Sequence, residues 1–349
     1  MRSPRGNLHC VVAAGLLISL ICAGFSGGPV RAADGQATLS VAEVASLIPQ
    51  IEAAERALQN IKVESEAWVE TRTKPADPWV RTPEYVLSTA WFEGAPRGKM
   101  RVDVHKQVSE WREGPAPYYE EAYSMGFDGR HGRVAKKAFG YNGSTYPEKR
   151  GELYSAIPPR LNTGWCNGFT GGRFSLYFFF RNDLRSSSFS QLLQKVTSPG
   201  VAESNPFSFS VEDFQKVQCI KIASAVGQDK VRLTYWLDPS RGYALRGYEL
   251  VNIRDDESEW LVSRIVVSNL REAAPGVWWP VDASDESSPP RPGEPYRRFI
   301  YHASNVVANQ EDFNERVFTV PFGEGSLVVD KANRLKFRVV QGQMVEENK

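Results

Sequence analysis

One short run of alternating residues has the types needed for acid–base chemistry. Arg101, Asp103 and His105 alternate in the segment RVDVH, so a β-strand there would place all three on one face. An Asp–His pair on one face matches a general base and the carboxylate that orients it. The segment also fits a solvated outer face with Val102 and Val104 turned inward. We favour that interpretation, because no nucleophile motif such as G-x-S-x-G accompanies the pair.

Other catalytic and metal-binding patterns are not found in the sequence. His131 and His302 lie far apart and lack the spacing of metal ligands. The GEGS segment at Gly323 lacks the lysine and the following helix of a phosphate-binding loop. The sequence therefore predicts no catalytic residue, no metal site and no cofactor, and it favours a protein that is not an enzyme.

The first 32 residues have the pattern of a signal peptide. Arg2 and Arg5 precede an apolar stretch at residues 11–25, and Val30 and Ala32 stand at the small-residue positions of a cleavage site. A permanent membrane anchor is the alternative, and it would need a longer span without a cleavage signal. Residues 33–349 contain no second hydrophobic span and predict a single domain. We expect this domain to be soluble and either periplasmic or secreted.

The charge and the cysteine content bear on nucleic-acid binding and on disulfide formation. Losing the arginines of residues 1–32 takes the formal net charge from +1 to −2, so no basic footprint for nucleic acid remains. Cys166 and Cys219 are the only cysteines left in the mature chain. In an oxidising compartment they predict a disulfide, and two buried free thiols are the alternative.

An amphipathic helix is predicted at the start of the mature chain. Ser40 and Glu43 have the spacing of a capping box, and apolar residues then recur at helical intervals. Pro49 inside this pattern predicts a kink or a division into two helices. From Ile61 the apolar period changes from 3.6 to 2, which predicts a strand with one face in water.

Most of the remaining chain predicts β-strands joined by short turns. Turns at Asp128-Gly129 and at residues 238–242 would join consecutive strands, as in an antiparallel meander. A second short helix is predicted at residues 188–196. The sequence therefore predicts an α+β fold with one large twisted sheet and few helices.

Several weak motifs occur in a characteristic order along this pattern. They are LQNI at residues 58–61, Phe127-Asp128-Gly129, Trp236-Leu237-Asp238, and a final set formed by Phe318, Pro321, Gly323, Gly325, Val328, Val329 and Asp330. In this order they resemble the LolA-like lipoprotein-carrier superfamily, which includes the outer-membrane lipoprotein carrier and sigma-factor-regulator relatives. The resemblance implies a half-barrel: a large, curved antiparallel sheet wrapped around an N-terminal helix and an insert at about residues 139–205.

A half-barrel of this kind has an apolar concave face, and strand alternation predicts the residues that line it. The polar alternates of each strand belong in water, so the apolar alternates should face inward. The predicted lining residues are Val63, Ala67, Val69, Val102, Val104, Val231, Leu233, Tyr235, Ile265 and Val267.

A dense aromatic run lies inside the predicted insert. The segment FSLYFFF begins at Phe174 and follows several glycines. Phe174, Leu176, Phe178 and Phe179 are predicted to cover or enter the concave face. They would do so either as a mobile lid that a ligand displaces or as a permanent part of the core.

Two functions follow from the resemblance. The favoured one is a non-enzymatic periplasmic carrier that holds a hydrophobic ligand, a lipid or a lipid-modified protein, in the concave face. The alternative is an interaction or regulatory module of the cell envelope, whose sheet is filled by its own side chains and whose protein partner binds outside.

Overall fold

The computed structural model describes most of the chain from residue 37 onward. The described residues are 37–93, 99–109, 118–141, 144–156, 189–198, 200, 207–224, 230–255, 257–289, 293–311 and 313–347. The helices in these ranges are α1 (Val41–Ala57) and α2 (Phe189–Thr197). The strands are β1 (Ala37–Thr38), β2 (Asn60–Arg72), β3 (Val80–Glu93), β4 (Lys99–Ser109), β5 (Tyr118–Phe127), β6 (Gly132–Tyr141), β7 (Ser144–Tyr154), β8 (Phe207–Phe214), β9 (Val217–Ser224), β10 (Val231–Asp238), β11 (Ala244–Ile253), β12 (Glu259–Ala274), β13 (Val277–Ser287), β14 (Tyr296–Ala308), β15 (Leu327–Asp330), β16 (Lys336–Val340) and β17 (Gln343–Glu346).

Helix α1 begins at the predicted capping box. The Ser40 hydroxyl accepts a hydrogen bond from the Glu43 N–H at 3.2 Å, and the Glu43 carboxylate accepts one from the Ser40 N–H at 2.7 Å. Pro49 lies inside the helix, which continues without a break to Ala57. The predicted division at Pro49 is therefore wrong. Proline removes only one backbone donor, and the buried side chains of Val44 and Ile51 hold the helix to the core on both sides of it.

Strand β2 follows directly after the helix and alternates as the sequence predicts. Val63, Ser65, Ala67 and Val69 are buried, whereas the residues that alternate with them are partly exposed. A strand with one buried face has its register fixed by that alternation, because a shift of one residue would turn every apolar side chain into water. This alternation sets which face of the sheet carries the core.

The strands form one sheet. Neighbouring strands pair in the order β1–β8–β9–β10–β11–β12–β13–β14–β2–β3–β4–β5–β6–β7–β15–β16–β17. Every pair is antiparallel except β7 with β15, which is parallel. The sheet is curved and does not close, and β1 and β17 are its edges. The predicted α+β half-barrel is confirmed.

Both predicted hairpin turns form, and an aspartate organises each of them. The Asp128 carboxylate accepts hydrogen bonds from the backbone N–H groups of Arg130 and His131, at 2.9 and 2.8 Å. The Asp238 carboxylate accepts one from the Ser240 N–H at 3.0 Å, at the start of a short 3-10 helix. Gly242 then takes the left-handed conformation, with φ +60°, that lets the chain reverse into β11.

The C-terminal segment packs on the outer face of β4–β7. Phe318 and Val320 are buried, and the guanidinium of Arg101 donates a hydrogen bond to the Val317 carbonyl at 3.0 Å. A Cβ atom at Gly126 would lie 2.6 Å from the Phe318 carbonyl oxygen. The segment therefore approaches the sheet closely only because that position has no side chain.

The sequence pattern did not identify five of the strands. These are the two-residue β1, β7 inside the predicted insert, β8 directly after it, and β16 and β17. Strand β7 lies within residues 139–205, so part of that range belongs to the sheet. Charged residues and Pro147 interrupt its alternation, which removes the signal that a half-buried strand normally gives.

Candidate functional site

The concave face of the sheet carries the predicted lining residues. Eight of the ten are no more than 4% exposed, while Val231 and Leu233 are half-buried. The strand register places Val69, Ile265 and Tyr235 in one row that crosses both halves of the sheet. The structure thus brings the predicted residues of distant strands onto one continuous apolar surface. That this surface binds a ligand stays a prediction.

Helices α1 and α2 pack against this concave face. Helix α2 buries Phe189, Leu193 and Val196, which are spaced along one side of the helix. The Phe189 ring meets the Tyr235 ring edge to face, with 5.6 Å between centroids. The contact between helices and sheet is made by a small number of apolar side chains.

Polar side chains join the two helices to each other. The Glu55 carboxylate of α1 accepts hydrogen bonds from the N–H of Ser190, at 3.2 Å, and from its hydroxyl, at 2.5 Å. Ser190 lies in the first turn of α2, where a carboxylate satisfies free backbone donors and opposes the positive end of the helix dipole. The Gln194 amide also donates to Glu52 of α1, at 2.6 Å. The two helices therefore form one unit over the sheet.

A small cavity lies where α1 meets two hairpin turns. Its volume is about 50 Å³, and α1 and Phe189 form one wall while the β10–β11 and β12–β13 turns form the other. The guanidinium of Arg241 lies 4.9 Å from the centroid of the Trp278 ring at this wall. A volume of this size holds one or two water molecules, so this cavity admits an acyl chain only if the elements around it move.

A band of charged side chains crosses the concave face at the end away from α1. We call it the polar margin, and it is formed by Glu84, Lys106, Glu121, Asp285 and Arg297. The Lys106 ammonium lies 3.1 Å from the Glu121 carboxylate, and both side chains are more than nine-tenths buried. Arg297 donates to Glu84 at 2.8 Å. The Asp285 carboxylate accepts from Ser263 at 2.8 Å.

Sequence reasoning did not pick out the polar margin. The alternation in β4 could have identified Lys106. Val102, Val104 and Lys106 are every second residue of the strand, so the lysine lies on the same inner face as the two valines. The partner of Arg297 had no such signal, since Glu84 lies 213 residues away in the sequence.

Comparisons with known proteins find distant structural similarity and no matching family. No protein-family model matches the chain, and no curated protein matches it. Solved structures similar to it include an outer membrane lipoprotein-sorting protein domain from Vibrio parahaemolyticus, with a TM-score of 0.41 and 10% identity over 80% of this chain and 97% of that one. Others are a DUF1329 family protein from Desulfovibrio piger, with a TM-score of 0.34, 11% identity and the same two coverages, and LprF from Mycobacterium bovis, with a TM-score of 0.25 and 11% identity over 78% and 97%.

The curved, unclosed antiparallel sheet around α1 is the architecture that the resemblance implied. At TM-scores below 0.5 the similar structures carry no argument about a ligand or a partner of this chain. In the part of the chain that the structure describes, no helix combines the length and apolar character needed to cross a bilayer.

The outer face of the sheet carries Arg101, Asp103 and His105. Arg101 binds Asp103 through two parallel hydrogen bonds of 2.9 and 2.8 Å, so the carboxylate is engaged by the guanidinium. His105 is exposed and packs edge to face on Tyr85, with 5.8 Å between ring centroids. Asp103 and His105 border a shallow depression of about 670 Å³. Val102 and Val104 are buried on the inner face, as the favoured interpretation predicted. The outer face is only partly solvated, because His105 is exposed whereas Arg101 and Asp103 are partly buried.

Of the other two histidines of the described residues, His302 borders the same depression as His105, whereas His131 does not line it. His131 is exposed in the β5–β6 turn, and His302 on β14 makes a 2.7 Å contact with the Asp282 carboxylate. Over the described ranges, no three His, Cys, Asp or Glu side chains are grouped to hold a metal ion.

Cys219 has a free thiol, and its predicted partner Cys166 lies outside the described residues. The predicted disulfide is therefore not shown, and at Cys219 the structure agrees with the alternative of a buried thiol. Burial raises the pKa of this thiol to about 11, and the negative charge of the nearby Asp238 adds to the effect. At neutral pH the group is protonated and chemically inert.

Titration of the thiols of a protein that lacks residues 1–32 tests both the raised pKa of Cys219 and the predicted disulfide. With a pKa of about 11, the thiolate fraction of Cys219 at pH 8 is roughly one in a thousand, so the native protein should react with a disulfide reagent far more slowly than the denatured protein. The unreduced, denatured protein should titrate two thiols if both cysteines are free. A count of zero that rises to two after reduction would instead establish the bridge between Cys166 and Cys219.

The aromatic residues predicted to act as a lid or plug lie outside the described residues. These are Phe174, Leu176, Phe178 and Phe179. Whether they form a mobile lid or a fixed core therefore stays a prediction from sequence.

Proposed function

We propose that this protein is an exported, non-enzymatic carrier that binds a hydrophobic ligand, a lipid or a lipid-modified protein, on the concave face of its half-barrel. The observation that supports it is the way this face is covered. A continuous apolar surface spans both halves of an open sheet, and the described elements over it are two helices joined to each other by polar contacts. Such a cover can move as a unit without breaking the sheet.

The energies of helix displacement and ligand burial are of similar size. The main apolar side chains of the helices are Val44, Ile51, Phe189, Leu193 and Val196. At about 1.5–3 kcal/mol each, exposing them would cost roughly 8–15 kcal/mol. Burying a chain of about 16 methylene groups contributes roughly 13 kcal/mol at about 0.8 kcal/mol per group. An acyl chain can therefore replace the helices on the concave face at little net cost.

The remaining parts of the proposal rest on the sequence and on the outer face. The pattern of residues 1–32 supports export and a periplasmic or secreted location. The engagement of Asp103 by Arg101 leaves His105 without an orienting carboxylate on its strand, which supports a role other than catalysis.

Weakening the link between the helices tests the carrier function. Glu55→Ala removes the carboxylate that holds the first turn of α2, and hydrogen bonds to charged groups contribute about 1.5–3 kcal/mol. Displacement of α2 becomes easier, so the affinity for the neutral fluorescent probe N-phenyl-1-naphthylamine should rise about tenfold, the equivalent of about 1.4 kcal/mol. Fluorescence titration measures the affinity for the probe. Native mass spectrometry of gently extracted protein shows whether lipid is bound to it.

Glu66→Ala is the matched control, because it removes a carboxylate from the outer face of β2. It should leave probe affinity unchanged. Absence of probe binding in the wild-type protein and in both variants, together with lipid-free extracted protein, would contradict a carrier.

A second function, an interaction module of the cell envelope, is favoured by one specific observation. The described cavity beside α1 has a volume of only about 50 Å³, and the apolar side chains of the concave face form one packed cluster with those of the two helices. If the protein binds no lipid, cross-linking in the envelope should identify a partner on the outer face of the sheet.

A further inference from the structure

The C-terminal hairpin leaves one edge of the sheet open. Strands β16 and β17 are joined by a two-residue turn at Gln341 and Gly342, which take the left-handed conformation with φ +51° and +74°. Among the described residues, β17 pairs with β16 alone. Within that part of the chain, the other side of β17 therefore has backbone groups without a partner strand.

The hydrogen bonds of the hairpin show which residues of β17 face outward. The Glu347 N–H donates to the Lys336 carbonyl at 2.8 Å, so residue 347 faces β16. Because backbone groups alternate along an antiparallel strand, Val345 faces β16 as well, whereas Met344 and Glu346 direct their N–H and C=O groups away from it. The strand has neither the proline nor the bulge that commonly blocks an edge.

Exposed apolar side chains are concentrated on this hairpin. Every side chain of β17 is exposed. Of the seven large hydrophobic side chains that are exposed in the described residues, four lie between residues 335 and 345. Val340 is 44% exposed and Val345 51%, and the register places them diagonally across from each other on one face. Apolar side chains beside an open edge favour contact with another strand.

The open edge is complementary to a second copy of itself. In an antiparallel pair related by a two-fold axis, an outward-facing residue of one copy lies opposite an outward-facing residue of the other. Placing Met344 opposite Glu346 of the second copy uses both outward-facing residues and puts Val345 opposite its own counterpart. Glu347 then lies opposite Gln343. No acidic side chain opposes another, and the exposed valines of the two copies form one apolar strip across the contact.

We propose that β17 pairs with β17 of a second copy of this chain, antiparallel and centred on Val345, so that two half-barrels join edge to edge in a symmetric dimer. A strand of four residues makes a contact at the low end of specific interface sizes, so the dimer exchanges with the monomer. The pairing does not depend on a bound ligand. It adds an interaction surface to the protein whether or not the concave face carries a lipid.

Sedimentation velocity of the full chain across a series of protein concentrations tests the dimer. The wild-type protein should change from monomer to dimer as its concentration rises. Met344→Pro removes an N–H that β16 does not use, so the circular dichroism of the monomer should be unchanged, while each copy loses a hydrogen bond across the contact. The dissociation constant should therefore rise at least about tenfold. Met344→Thr keeps the N–H and is the matched control, which should dimerise like the wild-type protein.

Disulfide capture tests the register. Val345→Cys places two thiols opposite each other in a non-hydrogen-bonded pair, where the Cα atoms lie about 4.5 Å apart, within the range of a disulfide. Val340→Cys is the matched control on the neighbouring strand, because it lies about three strand spacings, roughly 14 Å, from its counterpart. Only Val345→Cys should form a covalent dimer above the wild-type background.

Three results would each overturn the proposed pairing. They are a wild-type protein that stays monomeric at every concentration, a dimer that Met344→Pro leaves as stable as before, and equal cross-linking of the Val345→Cys and Val340→Cys variants.

Discussion

Replacing Trp279 by alanine should lower the free energy of unfolding by about 3–5 kcal/mol, because the surrounding core cannot collapse into the space of an indole ring. The Trp279 side chain is 0% exposed and belongs to the apolar core. Its ring nitrogen also lies 3.5 Å from the hydroxyl of the buried Tyr301. Unfolding in guanidinium chloride, followed by fluorescence, measures the change.

The neighbouring Trp278 provides a control of the same size. It is only half-buried, at the wall of the small cavity beside α1, and its ring faces the guanidinium of Arg241. Trp278→Ala should lower the free energy of unfolding by about 1 kcal/mol, which is the scale of a partly exposed cation–π contact. Equal losses for the two substitutions would mean that the concave face is not the tightly packed side of β13.

Substituting Gly126 by alanine should cost about 3 kcal/mol, at the upper end of the range for overpacking. The new Cβ would lie 2.6 Å from the Phe318 carbonyl oxygen and 2.8 Å from a methyl carbon of Val320. One of these contacts is with backbone, so no side-chain rotation relieves it. The C-terminal segment should separate from the sheet, which hydrogen exchange would detect as faster exchange at residues 317–322.

Gly323→Ala is the matched substitution in the same segment. The only heavy atom near its added Cβ is the Ser326 hydroxyl oxygen, at 3.8 Å, so the change should be nearly neutral. If Gly126→Ala left both the stability and the exchange at residues 317–322 unchanged, the close approach of this segment to β5 would be wrong.

Local pattern in the sequence was enough to predict the elements and the face on which their side chains lie. The Ser40–Glu43 capping box marked the start of α1, and the alternation of Val63, Ala67 and Val69 marked the inner face of β2. These features depend on residues close together in the chain, where helix and strand periods act directly. The buried state of most predicted lining residues follows from the same alternation.

Features that join distant parts of the chain could not be predicted from the sequence pattern. The pair between Arg297 and Glu84 depends on β14 lying beside β2, and alternation within one strand does not specify its neighbours. The parallel pairing of β7 with β15 was missed for the same reason. The charge of Lys106 on an inner-face position was visible, but its burial depends on Glu121 from the adjacent strand.

The position of β14 beside β2 sets an order for folding. Arg298 and Glu70, which pair across these two strands, are 228 residues apart in the sequence. Strand β2 thus emerges early and must wait for nearly the whole chain before its second neighbour arrives. During that interval it presents a long open edge with an apolar face, the kind of surface that associates with other chains. Contacts of such long range also slow folding. Until β14 is available, the edge of β2 that it covers is therefore where the unfinished sheet is open to association.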